Sequence, residues 1–131
     1  MKTNEEKVKA LYEAFGQGNV PFILENVDTD FTWTDPSDAA IVPHGGEYKG
    51  REEFGHFFQK LSTDSDTVQW EVDNYTSNES DVIATGTHGI RVKETGKTAV
   101  TDWVMIWSFE NGKPIKGRSY YDTATVASAF K

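Results

Sequence analysis

The sequence predicts an α+β domain in which N-terminal helices pack on one face of a curved antiparallel sheet. Up to about residue 61, apolar side chains recur at helical spacing, whereas from Val68 onward they alternate with polar ones. The order is helices first and a meander of long strands after them. At 131 residues, with no linker, repeat or low-complexity segment, residues 1–131 read as one domain with one core. A curved sheet closed by helices is a cone, and a cone encloses a cavity.

Each element has its own signal. Val8, Leu11, Tyr12 and Phe15 share one helical face, with Thr3 or Asn4 as cap and Gly16 with Gly18 as the stop. Asn19 caps a short second helix with Pro21 in its first turn and Phe22, Ile23, Leu24 and Val27 available for burial. Phe31 to Thr34 reads as a strand ended by Asp35-Pro36, and residues 36–49 as a loop long enough to line or close a site. A third helix runs from about Arg51 to Leu61 with Phe54, Phe57, Phe58 and Leu61 as its stripe.

Val68, Trp70 and Val72 then alternate with polar residues up to a turn at Asn78–Asp81. Strands follow over residues 82–92, 99–109 and 115–121, and a short helical tail over 123–130. Glu110-Asn111-Gly112-Lys113 is a strong hairpin signal. Gly86 and Gly89 mark a bend or bulge within their strand.

Thirteen basic against 21 acidic side chains give a net charge of -8, with 6 basic and 17 acidic in residues 1–90. Nothing here makes the basic stripe that phosphate contacts require, so no nucleic-acid partner is expected. The 17 aromatic residues, too many for a solvated tail, belong to a dense core or a ring-lined pocket. Cysteine is absent, the N-terminus is charged, and the longest apolar run is Trp103 to Trp107. A soluble, cytoplasmic protein with no membrane partner follows as the expectation. His44, His56 and His88 lack metal-ligand spacing, and no phosphate loop or dinucleotide fingerprint is present, so neither metal nor cofactor is expected.

Two aspartates stand out. Asp35, before Pro36, is either ordinary turn chemistry or a base beside a cavity. Asp122 either caps the C-terminal helix or shares the cavity face with Tyr120, where burial would raise its pKa. His44, in Pro43-His44-Gly45-Gly46, reads as a solvated loop residue or as an acid at the cavity mouth, and His88 as exposed or at an interface. Trp103, Met105 and Trp107 share one strand parity, opposite to Val104 and Ile106.

Several stretches together resemble one family. These are Leu11-Tyr12-Glu13-Ala14-Phe15 with Gly18-Asn19, Phe31-Thr32-Trp33, and Gly46 to Phe54 followed by Phe57-Phe58. Further on come Glu94 to Lys97, Trp107 to Lys113, and Tyr120-Tyr121-Asp122-Thr123-Ala124. In order and spacing the chain is similar to the SnoaL-like proteins of the nuclear transport factor two superfamily, relatives of ketosteroid isomerases and polyketide cyclases. The resemblance implies the cone fold, a pocket for a small apolar, aromatic or polycyclic ligand, and pairing of two copies through the sheet.

Carried over by residue, the isomerase base falls on Asp35 and the cyclase aspartate on Asp122, with Tyr120 or His44 assisting. The isomerase oxyanion donors fall on Leu11 and Met105, which cannot serve, so steroid isomerisation is disfavoured. The resemblance also turns the Met105 parity inward. With it, Trp33, Tyr12, Phe15, Phe54, Phe58, Trp103 and Trp107 become the expected pocket lining. A cofactor-free isomerase or cyclase using an Asp base is one implied function. A non-catalytic ligand-binding or accessory domain is the alternative, and an interaction module a third.

Overall fold

Thr3 accepts a hydrogen bond from the Glu6 amide at 3.1 Å while the Glu6 carboxylate takes the Thr3 amide at 3.0 Å. This capping box starts helix α1 (Asn4–Gly16) in the computed structural model, which describes residues 2–131. The buried face of α1 is Val8, Leu11, Tyr12 and Ala14, and each large side chain buried there contributes about 1.5–3 kcal/mol. Asn19 caps α2 (Val20–Glu25) through the Phe22 amide. The chain then enters β1 (Thr32–Asp35).

The expected long loop is shorter than the sequence suggested. Gly46–Lys49 forms a strand, β2, paired antiparallel to β1 with Trp33 opposite Tyr48. Tyr48 supplies the burial that four mostly polar residues do not advertise. Helix α3 (Gly50–Asp64) extends three residues past Leu61 before β3 begins. Its start is held by Glu53, whose carboxylate accepts the Lys49 amide at 2.8 Å.

Strands β3 (Ser65–Ser77), β4 (Asp81–Val92), β5 (Thr98–Glu110) and β6 (Lys113–Tyr121) form the meander, followed by helix α4 (Thr123–Ala129). The β5–β6 hairpin turns on Asn111 and Gly112, with φ of 51° and 77°, the primed turn that its sequence calls for. The sheet order is β2-β1-β6-β5-β4-β3. All pairings are antiparallel except β1 with β6, where Trp33 lies opposite Gly117.

Curvature comes from β3. Val68 and Asp73 are extra residues in its ladder, adjoining the Gln69–Gly89 and Val72–Gly86 pairs with β4. Gly86 is needed for a second reason, because a Cβ there would overlap the Glu71 carbonyl oxygen and the Trp103 indole. Gly117 likewise leaves room for Trp33, whose ring would lie 2.7 Å from an added Cβ. The small residues let large rings lie flat against the concave face. Helices α1, α2 and α3 cover that face, and α4 closes one end through a second cluster of Val42, Ile90, Val92, Ala99, Val126 and Ala129.

Candidate functional site

The strand registers lay out the concave face in rows. Trp33, Gly117, Trp107 and Val82 form one row, and Ser119, Met105 and Ala84 the next, with Asp35 one residue past the β1–β6 pairing. Tyr121, Trp103 and Gly86 follow, then Thr101, His88 and Trp70. Above these rows, α1 contributes Leu11, Tyr12 and Phe15, and α3 contributes Phe54, Phe57 and Phe58. Between them is a cavity with an open volume of about 80 Å³. That is room for a few waters, and about half the roughly 150 Å³ of an engineered apolar cavity that takes up benzene.

Every residue expected in the aromatic lining is placed on this cavity, including Met105, Trp103 and Trp107. The rings pack on one another: Trp70 stacks on Trp103 at 5.0 Å, and Tyr12 meets Trp107 edge-on at 5.9 Å. Tyr12 is also the centre of a polar chain. Its hydroxyl accepts from Trp107 Nε1 at 2.8 Å and donates to Met105 Sδ at 3.4 Å. Phe58, Trp70 and His88 pack around Phe15, and all four are only half-buried, so the cavity comes nearest the surface there, between α1 and α3.

Asp35 is 5% exposed and lines the cavity. Its Oδ1 accepts the Ser37 amide at 3.0 Å and the Tyr121 hydroxyl at 2.6 Å, and the Ser37 hydroxyl bonds Tyr121 in turn. This network joins β1 to β6 and leaves Oδ2 without a partner among the described residues. Burial pushes the Asp35 carboxyl above its ordinary range, and the Tyr121 hydrogen bond opposes it only in part.

His44 is buried, not a solvated loop residue. Its Nδ1 lies 2.8 Å from Asp64 Oδ2 at the end of α3, and Phe57 and Phe130 pack against the ring. An ionised carboxylate only accepts, which places the ring proton on Nδ1 and leaves Nε2 free. The sealed, unpartnered side-chain atoms among the described residues are Trp33 Nε1, Arg51 Nε, Trp103 Nε1 and Arg118 Nε. Neither Asp35 Oδ2 nor His44 Nε2 is one of them, so both reach open space.

Two expected residues lie elsewhere. Asp122 is exposed and caps α4, accepting the Thr125 amide at 3.1 Å and its hydroxyl at 2.7 Å. Those bonds hold its carboxyl below the ordinary range, the opposite of a buried base. Tyr120 is 46% exposed on the outer face, and its neighbour Tyr121 points inward. The β5–β6 register explains this by pairing Tyr121 directly with Trp103. The signal was available, because Tyr120 shares its parity with Lys116 and Arg118, whereas Tyr121 shares it with Ser119 and Gly117.

His88, expected outside, is also on the cavity. Nε2 bonds Thr67 Oγ1 at 3.0 Å, and the ring meets Trp70 edge-on at 5.4 Å. His56 is exposed, and no group of metal-ligating side chains stands close enough to hold an ion among the described residues. No helix there is long and apolar enough to cross a membrane.

The chain is thus a six-stranded α+β cone over a ring-lined cavity, with a carboxyl and an imidazole at its polar side. The sequence profile of the SnoaL-like domain family matches residues 8–115, and the chain belongs to that family. An NTF2-like protein of unknown function from Burkholderia pseudomallei K96243 superposes with a TM-score of 0.90 at 25% identity, covering 100% of this chain and 99% of that one. TerC, co-crystallised with polyporic acid, gives a TM-score of 0.86 at 22% identity over 97% of each chain. A proposed polyketide cyclase from Xanthomonas campestris pv. campestris gives 0.77 at 19% identity, over 98% of this chain and 100% of that one. No curated protein matches by sequence.

His88 generates a pH prediction. Burial lowers its pKa from 6.5 to about 4, with the nearby His44 adding to the shift. The unfolded chain therefore takes up a proton that the folded chain refuses between pH 6.5 and about 4. Stability is full above that window and falls as pH drops through it, by up to about 3 kcal/mol from this group. Urea denaturation across the window is expected to show His88→Gln losing less stability than the wild type. Parallel losses would contradict the assignment.

Proposed function

We propose that this domain binds a small cyclic ligand in the cone and moves a proton at a carbon beside a carbonyl, without a cofactor, using Asp35 as the base. The observation that carries the reading is the free Oδ2 of a buried carboxyl in an aromatic cavity, beside an imidazole oriented by Asp64. A raised carboxyl pKa brings basicity closer to that of a carbon acid and keeps the group useful near neutral pH. In the step, the C–H bond breaks, the proton passes to Asp35 Oδ2, and the electron pair moves onto the carbonyl oxygen. The Ser119 hydroxyl, next to Asp35 on β6, can donate a hydrogen bond to that charge, and so can His44 when its Nε2 carries a proton. The family assignment and the co-crystallisation of TerC with polyporic acid support a small organic ligand.

The resting volume favours one ring over a polycycle. Even one ring requires Met105 or the half-buried Phe15 and Phe58 to move aside. A cytoplasmic setting belongs to the same proposal, as does pairing of two copies through the outer face of the sheet. That face exposes Val100 at 49%, Val104 at 37% and Tyr120 at 46% in the middle strands, away from the helices.

Acetophenone in D2O tests the chemistry, with methyl-proton exchange followed by NMR. The wild type is expected to accelerate exchange, rising with pH through a midpoint above the ordinary carboxyl range, and Asp35→Asn to lose at least about 100-fold. Equal exchange by the two proteins would contradict the reading. Sedimentation velocity tests the pairing: Val104→Glu is expected to sediment as a monomer where the wild type is a dimer, and a monomeric wild type would refute it.

A further inference from the structure

Asp35 and Tyr121 make one polar pole on the concave face. A second pole stands on β4 and β5, where His88 and Thr101 are directly opposite in the register. Thr101 is 8% exposed, and both residues line the cavity. Thr67 holds His88 Nε2, and the edges of Trp70 and Phe15 fix the ring plane. The other ring nitrogen and the Thr101 hydroxyl make no hydrogen bond among the described residues, and neither is among the sealed atoms. Both atoms are therefore accessible yet have no protein partner, and two such groups side by side in an aromatic wall offer a place for a ligand's polar atom.

The chemistry of the pair narrows that atom. A threonine hydroxyl donates and accepts, and a neutral imidazole nitrogen does one or the other, so a ligand hydroxyl satisfies both partners at once. The Asp35 pole only accepts while ionised, and it takes a hydroxyl proton as well. Thr101 lies two strands from Asp35 and two rows further along β5, roughly 16 Å away measured along the sheet. Both poles line one cavity, and their side chains converge across the concave face, so a ligand that reaches both carries a polar atom at each end of its ring.

We propose that the cavity selects a single ring with oxygen substituents at opposite ends, one on Asp35 and the other held between His88 and Thr101. This rests on the pocket reading above and specifies its ligand class. Asp35 anchors, and the His88–Thr101 pair discriminates.

The isosteric series hydroquinone, para-cresol and para-xylene tests it by titration calorimetry under argon at neutral pH. Hydroquinone is expected to bind tightest and para-xylene weakest. Para-cresol places its one hydroxyl on Asp35, where the charge makes the stronger bond. Thr101→Val should weaken hydroquinone by about fivefold and leave para-cresol unchanged. Thr101→Ser, which keeps the hydroxyl, should retain the preference and guards against a general packing defect. Equal binding of hydroquinone and para-cresol by the wild type, or equal weakening of both by Thr101→Val, would overturn the second pole. If none of the three bound, the pocket reading beneath it would fail too.

Discussion

A carboxyl group enclosed by aromatic rings is the constraint around which this domain is organised. Leaving Asp35 ionised out of water is unfavourable, and two hydrogen bonds offset it, from the Ser37 amide and the Tyr121 hydroxyl. Each contact fixes part of the fold. The Tyr121 bond spans the parallel β1–β6 pairing. The Ser37 bond sets the exit of the chain from β1, and Ser37 packs so closely on Gly45 that a side chain there would overlap its carbonyl. The His44 loop is then pinned by Asp64 at the far end of α3.

Around that group the aromatic residues divide by role. Phe31 is sealed in the core and Phe54 is buried along the cavity wall, whereas Phe15, Phe58 and Trp70 stay partly exposed where the cavity approaches the surface. The division follows from small residues opposite large ones. Gly117 accepts Trp33, Gly86 accepts Trp103, and Ala84 faces Met105, the most deformable side chain in the lining. The outcome is a cavity that is small at rest, polar at two places, and bounded by side chains able to yield.

Helical spacing in Val8, Leu11, Tyr12 and Phe15, alternation after Val68, and the Asn111-Gly112 turn made the element order legible from the chain alone. Parity grouped Trp103, Met105 and Trp107, but Val104 and Ile106 opposite them are apolar as well, so only the family resemblance turned the Met105 set inward, where the structure has it. On β6 the inward residues are Gly117, Ser119 and Tyr121, and no hydrophobic contrast separates them from Tyr120. Reading that strand from its two tyrosines put Tyr120 inside and carried Asp122 with it. Lys116 and Arg118 were the better guide. The His44–Asp64 pair could not be read at all, since twenty residues and a whole helix separate its members. His88 was misread for a related reason: a polar residue in mid-strand suggests the outer face, but here a cavity gives it an inner one.

Asp35 is desolvated yet accessible, and a carboxyl-carbon NMR titration of that residue measures this directly. A midpoint above the ordinary 3.8 is expected, displaced further when a ring-sized ligand fills the cavity. A midpoint at or below 3.8, unmoved by ligand, would mean that Asp35 is only a turn residue, and the proposed chemistry would have no base.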